Sequence, residues 1–173
     1  QRHRFVPRLT SLEDCILRAV KVGDDTALSP IIIADVADNP GGGGRGNTTW
    51  LLSGLLEAGA KGVIVGVFFD PALAAEAHAI GVEKTYSALF NRDEASPYSK
   101  PFEAEARVRA LSSGDVIGRP GGTVAGRTTA LGPTAVLDLG GVTVVVVSKR
   151  VQCFDSGFFE TFGVDVGAAR TVV

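Results

Sequence analysis

The stretch Ile31-IIIADVADNPGGGGRGNTTWLL-Leu52 decides how the rest of the chain is read. It opens as an apolar, β-branched run and closes on the leucine spacing of an amphipathic helix. Between them stand Asp38-Asn39-Pro40 and four consecutive glycines, Gly41 to Gly44. Ile31 to Ala34 lacks polar alternation, as does a parallel strand covered on both faces. The helix is predicted over Thr48 to Ala58, capped by Asn47 or Thr48, with Leu51, Leu52, Leu55 and Leu56 inward and Gly59 past its end.

Working outward, Gly62 to Phe69 reads as a second buried strand. Asp70-Pro71 then starts a helix to Ile80, with proline in its first turn and Gly81 at its end. Ser11 to Val22 is a further helix, capped by Ser11, with Leu12, Cys15, Ile16, Ala19 and Val20 on one stripe. The first half is therefore β-α-β-α with a parallel sheet. The second half is β-rich. Phe102 to Leu111 alternates as a strand, and Gly114 to Gly132 reads as loop. Thr134 to Leu139 and Val142 to Ser148 flank Gly140-Gly141 as a hairpin with a primed turn. Phe154 to Phe162 reads as a short helix and Arg170 to Val173 as a last strand. The expected fold is α/β, a mixed sheet with flanking helices, forming one domain over residues 1–173.

Composition narrows the function. The chain has 173 residues, 45% hydrophobic and 21% charged, with net charge -2. That balance excludes a non-specific nucleic-acid binder, which needs a basic face. No apolar run approaches the length of a membrane span and no signal-peptide pattern opens the chain, so a cytoplasmic protein is expected. Cys15 and Cys153 fit no metal or redox motif; two reduced thiols are expected, and a pairing between them stays open. There is no methionine, the chain starts at Gln1, and it stops on Thr171-Val172-Val173. The expectation is a piece of a longer protein.

A glycine-rich loop ahead of a helix can bind an anion. Two nucleotide motifs nearly match. Gly41, Gly43 and Gly46 satisfy G-x-G-x-x-G, a cheap match in a glycine run, and the acidic partner Asp70 begins a helix instead. Gly41 to Thr48 follows the P-loop pattern, but Asn47 stands where a lysine must reach the phosphates. Asp38 and Asn39, at the carboxyl end of a strand, are candidate ligand groups, because open α/β sheets bind there. The same residues also suit a turn that closes the strand. Arg45 is open to two readings, a contact to a substrate carboxylate or a solvated loop charge.

The run Ala34-Asp35-Val36-Ala37-Asp38-Asn39-Pro40-Gly41-Gly42-Gly43 resembles the D-x-x-DNPGGG segment of the microcystinase C-like (MlrC) zinc metallopeptidases, in their C-terminal domain. Further segments agree in order: Leu51 to Gly59, Asp70-Pro71, Ala79 to Val82, Leu131 to Val136, Ser148 to Gln152, Phe154-Asp155 and Phe162 to Asp165. The likeness covers roughly Pro30 to Val173. It implies a larger N-terminal metallopeptidase domain that carries the zinc ligands and a catalytic glutamate, with no ligand in this chain. It implies that this domain closes the cleft, is inactive alone, and acts on a small peptide or amide. Asp38, Asn39 and Pro40 take the catalytic role in that reading. Gly41, Gly42, Gly43, Arg45, Asn47 and Thr48 line the substrate.

The chain departs from the family at Gly44-Arg45, Asn47 and Glu83, and lacks a closing Lys-Ser segment and histidine. The variant run GGGGRGNTT points to a eukaryotic, fungal relative. Its two histidines, His3 and His78, read as surface residues, so no complete metal site is expected here. The alternative is a stand-alone α/β module that binds a phosphate or carboxylate at the glycine loop.

Overall fold

The computed structural model describes residues 9–92 and 99–173. His3 therefore lies outside the described residues. Among the described residues, nine strands and four α-helices follow one another. Helix α1 (Leu12–Asp24) precedes strand β1 (Ile31–Ile32). A 3-10 turn (Pro40–Gly42) leads to α2 (Trp50–Glu57), β2 (Val63–Phe69), α3 (Pro71–Ile80) and β3 (Thr85–Phe90). Then come β4 (Phe102–Ser112), β5 (Asp115–Ile117), β6 (Thr128–Ala130), β7 (Thr134–Asp138), β8 (Val142–Val147), α4 (Gly157–Glu160) and β9 (Thr171–Val172).

Seven strands form one mixed sheet in the order β1-β9-β2-β8-β7-β4-β3. The first four run parallel, and β8-β7-β4-β3 pair antiparallel. This is the α/β, mixed-sheet architecture expected from the sequence. The Gly-Gly hairpin is present: Leu139 donates to the Val142 carbonyl at 2.9 Å, and Gly140 takes φ +88° at the first central position. That is where a primed turn needs glycine.

The valine run of β8 follows from burial on both faces. Val142, Val144 and Val146 face a core built with α2 and α3, including Leu52, Leu55 and Leu73. Val145 and Val147 face a second core with Phe158, Phe159 and Phe162 around α4. In β2 the phase slips. Val63 and Val65 face the first core and Ile64 the second, but after Gly66 it is Val67 that joins the second core and Phe68 the first. The pairing of β2 with β8 skips one residue between Gly66 and Phe68. A bulge of this kind inserts one residue and bends the strand.

Several expectations are corrected. Ile31 to Ala34 is not a strand covered on both faces; β1 is a two-residue strand at the sheet edge, and Ile32 is 84% exposed. The strand beside it is not β2 but β9, inserted between them from the far end of the chain. Helix α2 starts at Trp50 rather than Thr48, and its N-cap Thr49 makes no side-chain cap bond. The Thr49 hydroxyl is spent instead on the Lys100 carbonyl at 2.7 Å. Gly114 to Gly132 is not all loop, since β5 and β6 pair within it. Strand β3 adds to the expected elements: its polar-apolar alternation runs only from Thr85 to Ala88 before Leu89-Phe90 breaks it. The short helix is Gly157–Glu160 rather than Phe154 to Phe162.

The helix ends behave as their sequences dictate. Ser11 accepts from Asp14 N at 3.1 Å and caps α1. Asp70 accepts from Leu73 N at 2.9 Å and caps α3. Among the described residues no helix is long and apolar enough to cross a membrane.

Candidate functional site

Strands β1, β9, β2 and β8 point their carboxyl ends to one side, and a cavity of about 310 Å³ opens there. Its walls come from the segment after β1, from the β2 bulge (Val65 to Phe68), and from Val151, Gln152 and Cys153 after β8. Asp35, Asp38, Asn39, Pro40, Gly46 and Thr48 line it as well. The carboxyl edge of a parallel sheet is where such folds keep ligands, because loops diverge there and leave a crevice.

The loop is built around Asp38. Its Oδ1 accepts from Gly46 N at 2.7 Å and its Oδ2 from Thr48 N at 2.6 Å. The carboxylate thus stands just ahead of α2, where a negative charge meets the positive end of the helix. Asn39 Oδ1 accepts from Gly41 N at 2.9 Å and Gly42 N at 3.3 Å. Main-chain bonds use more donors: Gly42 and Gly44 donate to the Asn39 carbonyl, and Gly43 to the Pro40 carbonyl. Asp35 closes the other side, accepting from Ala37 N at 2.9 Å and from the Thr48 hydroxyl at 3.2 Å.

The glycines are explained by this compact path. A Cβ on Gly44 would lie 2.7 Å from the Asn39 nitrogen and 2.8 Å from its carbonyl oxygen. What comes close to the glycine backbone is the loop's own chain. The donors of Gly41, Gly42, Gly43, Gly44, Gly46 and Thr48 are all spent internally. An external phosphate would have to displace the Asp38 carboxylate, so the geometry gives no support to the phosphate-cradle alternative.

Beneath the loop lies a buried polar brace. Asn91 donates through Nδ2 to the Asn47 carbonyl and to Ser99 Oγ, and its main-chain N–H donates to Asp70 Oδ2 at 2.9 Å. Ser99 also donates to the Asn47 carbonyl at 3.1 Å. Asn47, Asn91, Ser99 and Asp70 are all buried. Asn47, predicted as a helix cap, holds the loop from below through its main chain. Arg45 is exposed on the loop tip. The structure thus brings Asp38, Asn39, Pro40 and Thr48 to the cavity wall, whereas Gly41, Gly42, Gly43, Arg45 and Asn47 are not among its lining residues.

Beyond the sequence reading, three further lining residues carry polar or ionisable side chains: Asp35, Gln152 and Cys153. The first sits in the A-D-V-A-D repeat of acids, and the others follow the long apolar strand β8, which is the available signal. Cys15 and Cys153 are both free thiols. Burial pushes the Cys153 thiol from its ordinary 9.0 up to about 11, partly offset by its bond to the Asp155 main chain. At pH 8 its thiolate fraction is then about a hundredfold below that of an unfolded cysteine. Iodoacetamide should therefore label Cys153 at least tenfold more slowly in the native protein than in urea, read by peptide mass mapping. Because the folded value lies above the unfolded one, the stability that this thiol contributes is complete below pH 9 and is lost as pH rises towards 11. His78 is exposed and its Nε2 lies 3.1 Å from the Thr134 carbonyl. Among the described residues, no three His, Cys, Asp or Glu side chains come together to hold a metal.

Comparison with known proteins places the fold. The family described as MlrC C-terminus matches residues 33–173. Microcystinase C of Sphingomonas sp. is 22% identical over 143 residues, covering 83% of this chain and 27% of that protein. A solved structure of a candidate metallopeptidase from Mesorhizobium sp. BNC1 superposes with a TM-score of 0.80 at 22% identity. That match covers 99% of this chain and 33% of the other, and it establishes the shared fold. The chain therefore spans between 27% and 33% of the length of these two relatives. With a family match running from Ile33, just past β1, through the last strand, the chain belongs to the MlrC C-terminus family.

Proposed function

We propose that this chain is the C-terminal part of a larger metallopeptidase and forms one wall of its substrate cleft. The observation that carries this reading is the cavity at the carboxyl edge of the parallel strands, walled by a loop whose shape its own hydrogen bonds hold. Family membership and the length of the relatives support a partner domain on the N-terminal side. In this reading that domain supplies the metal ligands, zinc being the expected ion.

The residues present do not themselves fit a metal. The two carboxylates on the cavity wall, Asp35 and Asp38, have their oxygens engaged by the loop, and among the described residues no histidine lines the cavity. A hydrolytic zinc takes three protein ligands and keeps one open position. The role left to this chain is to shape and close the cleft around a peptide or amide. Asp38 and Asn39 serve by fixing the loop, and Pro40 by stiffening its entry.

The test is hydrolysis of a leucyl-anilide. This chain alone should release no aniline, and the chain joined to its N-terminal domain should. Turnover by the isolated chain, or none by the joined and metal-loaded protein, overturns the proposal.

A further inference from the structure

The polar atoms of the cavity wall divide into two groups. Those of Asp38 and Asp35, and the Oδ1 of Asn39, are taken by the loop itself. Two carboxamide groups are not. Gln152, half-buried on the segment after β8 and packed against the glycine loop, makes no hydrogen bond to any described residue through either end of its amide, and neither does Asn39 through Nδ2. The two side chains converge on Gly41. A Cβ built on that glycine would lie 1.7 Å from Gln152 Oε1 and 3.2 Å from Asn39 Oδ1. Glycine at 41 is what lets Gln152 lie flat against the loop.

A carboxamide offers a donor and an acceptor side by side, the same pair that a peptide group presents in reverse. Asn39 is exposed and Gln152 half-buried, so it is the unpartnered Gln152 amide that costs free energy, which a ligand with matching groups recovers. The remaining wall is apolar, with Ile33, Val65, Phe68 and Val151, and among the described residues no lysine or arginine lines it. The charges present, Asp35 and Asp38, are negative. An aliphatic side chain flanked by a neutral amide suits such a site; a carboxylate or phosphate meets repulsion and no counter-charge.

We propose that Gln152, assisted by Asn39 Nδ2, is the residue that binds the backbone amide of a peptide carrying an aliphatic side chain. This deepens the peptidase reading above and rests on it for the substrate class. The Gln152 amide donates to the peptide carbonyl and accepts from the peptide N–H, while the side chain fills the apolar hollow over the β2 bulge.

The experiment uses ¹⁵N-labelled protein and N-acetyl-leucine methylamide as the probe, followed by the side-chain NH2 resonances of Gln152 and Asn39. These signals should shift saturably. Gln152→Leu and the isosteric Gln152→Glu should each weaken binding at least tenfold, with the Gly46 and Thr48 main-chain signals unmoved. N-acetyl-leucine, which ends in a carboxylate, should bind at least tenfold more weakly than the methylamide. No shift in the folded protein, equal affinity in either variant, or equal binding of the carboxylate overturns the inference. The readout is binding, so it separates from the hydrolysis test: an inactive joined protein with Gln152-dependent binding removes only the functional reading. An active joined protein whose KM is unchanged in Gln152→Leu removes only this one.

Discussion

Asp38→Ala is expected to lose about 3 kcal/mol of stability, because it removes the acceptor for two charge-assisted bonds worth about 1.5–3 kcal/mol each, discounted for partial exposure. The bonded donors, Gly46 N and Thr48 N, lie on the segment that enters α2, so the damage is local. The sheet and both cores do not depend on the carboxylate. Chemical denaturation should show a lower midpoint at nearly the same slope, and hydrogen exchange should accelerate first at Gly46 and Thr48. Asp38→Asn keeps one oxygen acceptor and turns an amide N–H2 against the other donor, so it should fall between the two. In the protein joined to its N-terminal domain, Asp38→Ala should reduce kcat about a hundredfold, since displacing a cleft wall by an ångström or so costs on that order. Normal turnover with a destabilised loop would show that the loop shape does not matter to the chemistry.

Gly44→Val comes next in size, at about 3 kcal/mol, the upper end of what overpacking costs. Its Cβ alone would stand 2.7 Å from the Asn39 nitrogen and 2.8 Å from its oxygen, and those are main-chain atoms with no rotamer to change. The loop must open to admit it, which breaks the Gly44 to Asn39 bond of 2.8 Å and pulls Asn39 away from Gly41 and Gly42. Thermal unfolding should report the loss, and the NH2 resonance of Asn39 should report the displaced turn. An unshifted melting temperature would show that the loop is looser than its hydrogen bonds imply.

Much of the fold was legible because its signals are local. Asp70-Pro71 announces a helix start, Gly140-Gly141 between two apolar runs announces a hairpin, and the unbroken valines of β8 announce burial on both faces. What stayed hidden depends on distant parts of the chain. Ile31 and Ile33 look like the interior of a sheet, yet their neighbour Ile32 is exposed, since whether a strand is central or at an edge is decided by its partners. The slot between β1 and β2 is filled by Thr171–Val172, and no local pattern states that. For the site, the Asp-Asn-Pro-Gly run correctly drew attention to the strand end. It did not disclose that Asp38 already satisfies the loop's donors, because a carboxylate and its donors eight and ten positions on leave no periodic trace. The unpartnered amide of Gln152 was invisible for the same reason.

The placement of β9 bears on how the molecule is made. Its partner Ile31 pairs with Thr171, so the parallel half of the sheet is closed by residues 140 positions apart (171 minus 31). Such non-local pairing slows folding, since the entropy of a long closure is spent before any contact rewards it. During synthesis the antiparallel β7-β8 hairpin can form as soon as it leaves the ribosome. β1 and β2 must wait for the last strand with their edges bare, and in that interval the nascent chain is most open to mispairing and to chaperone capture.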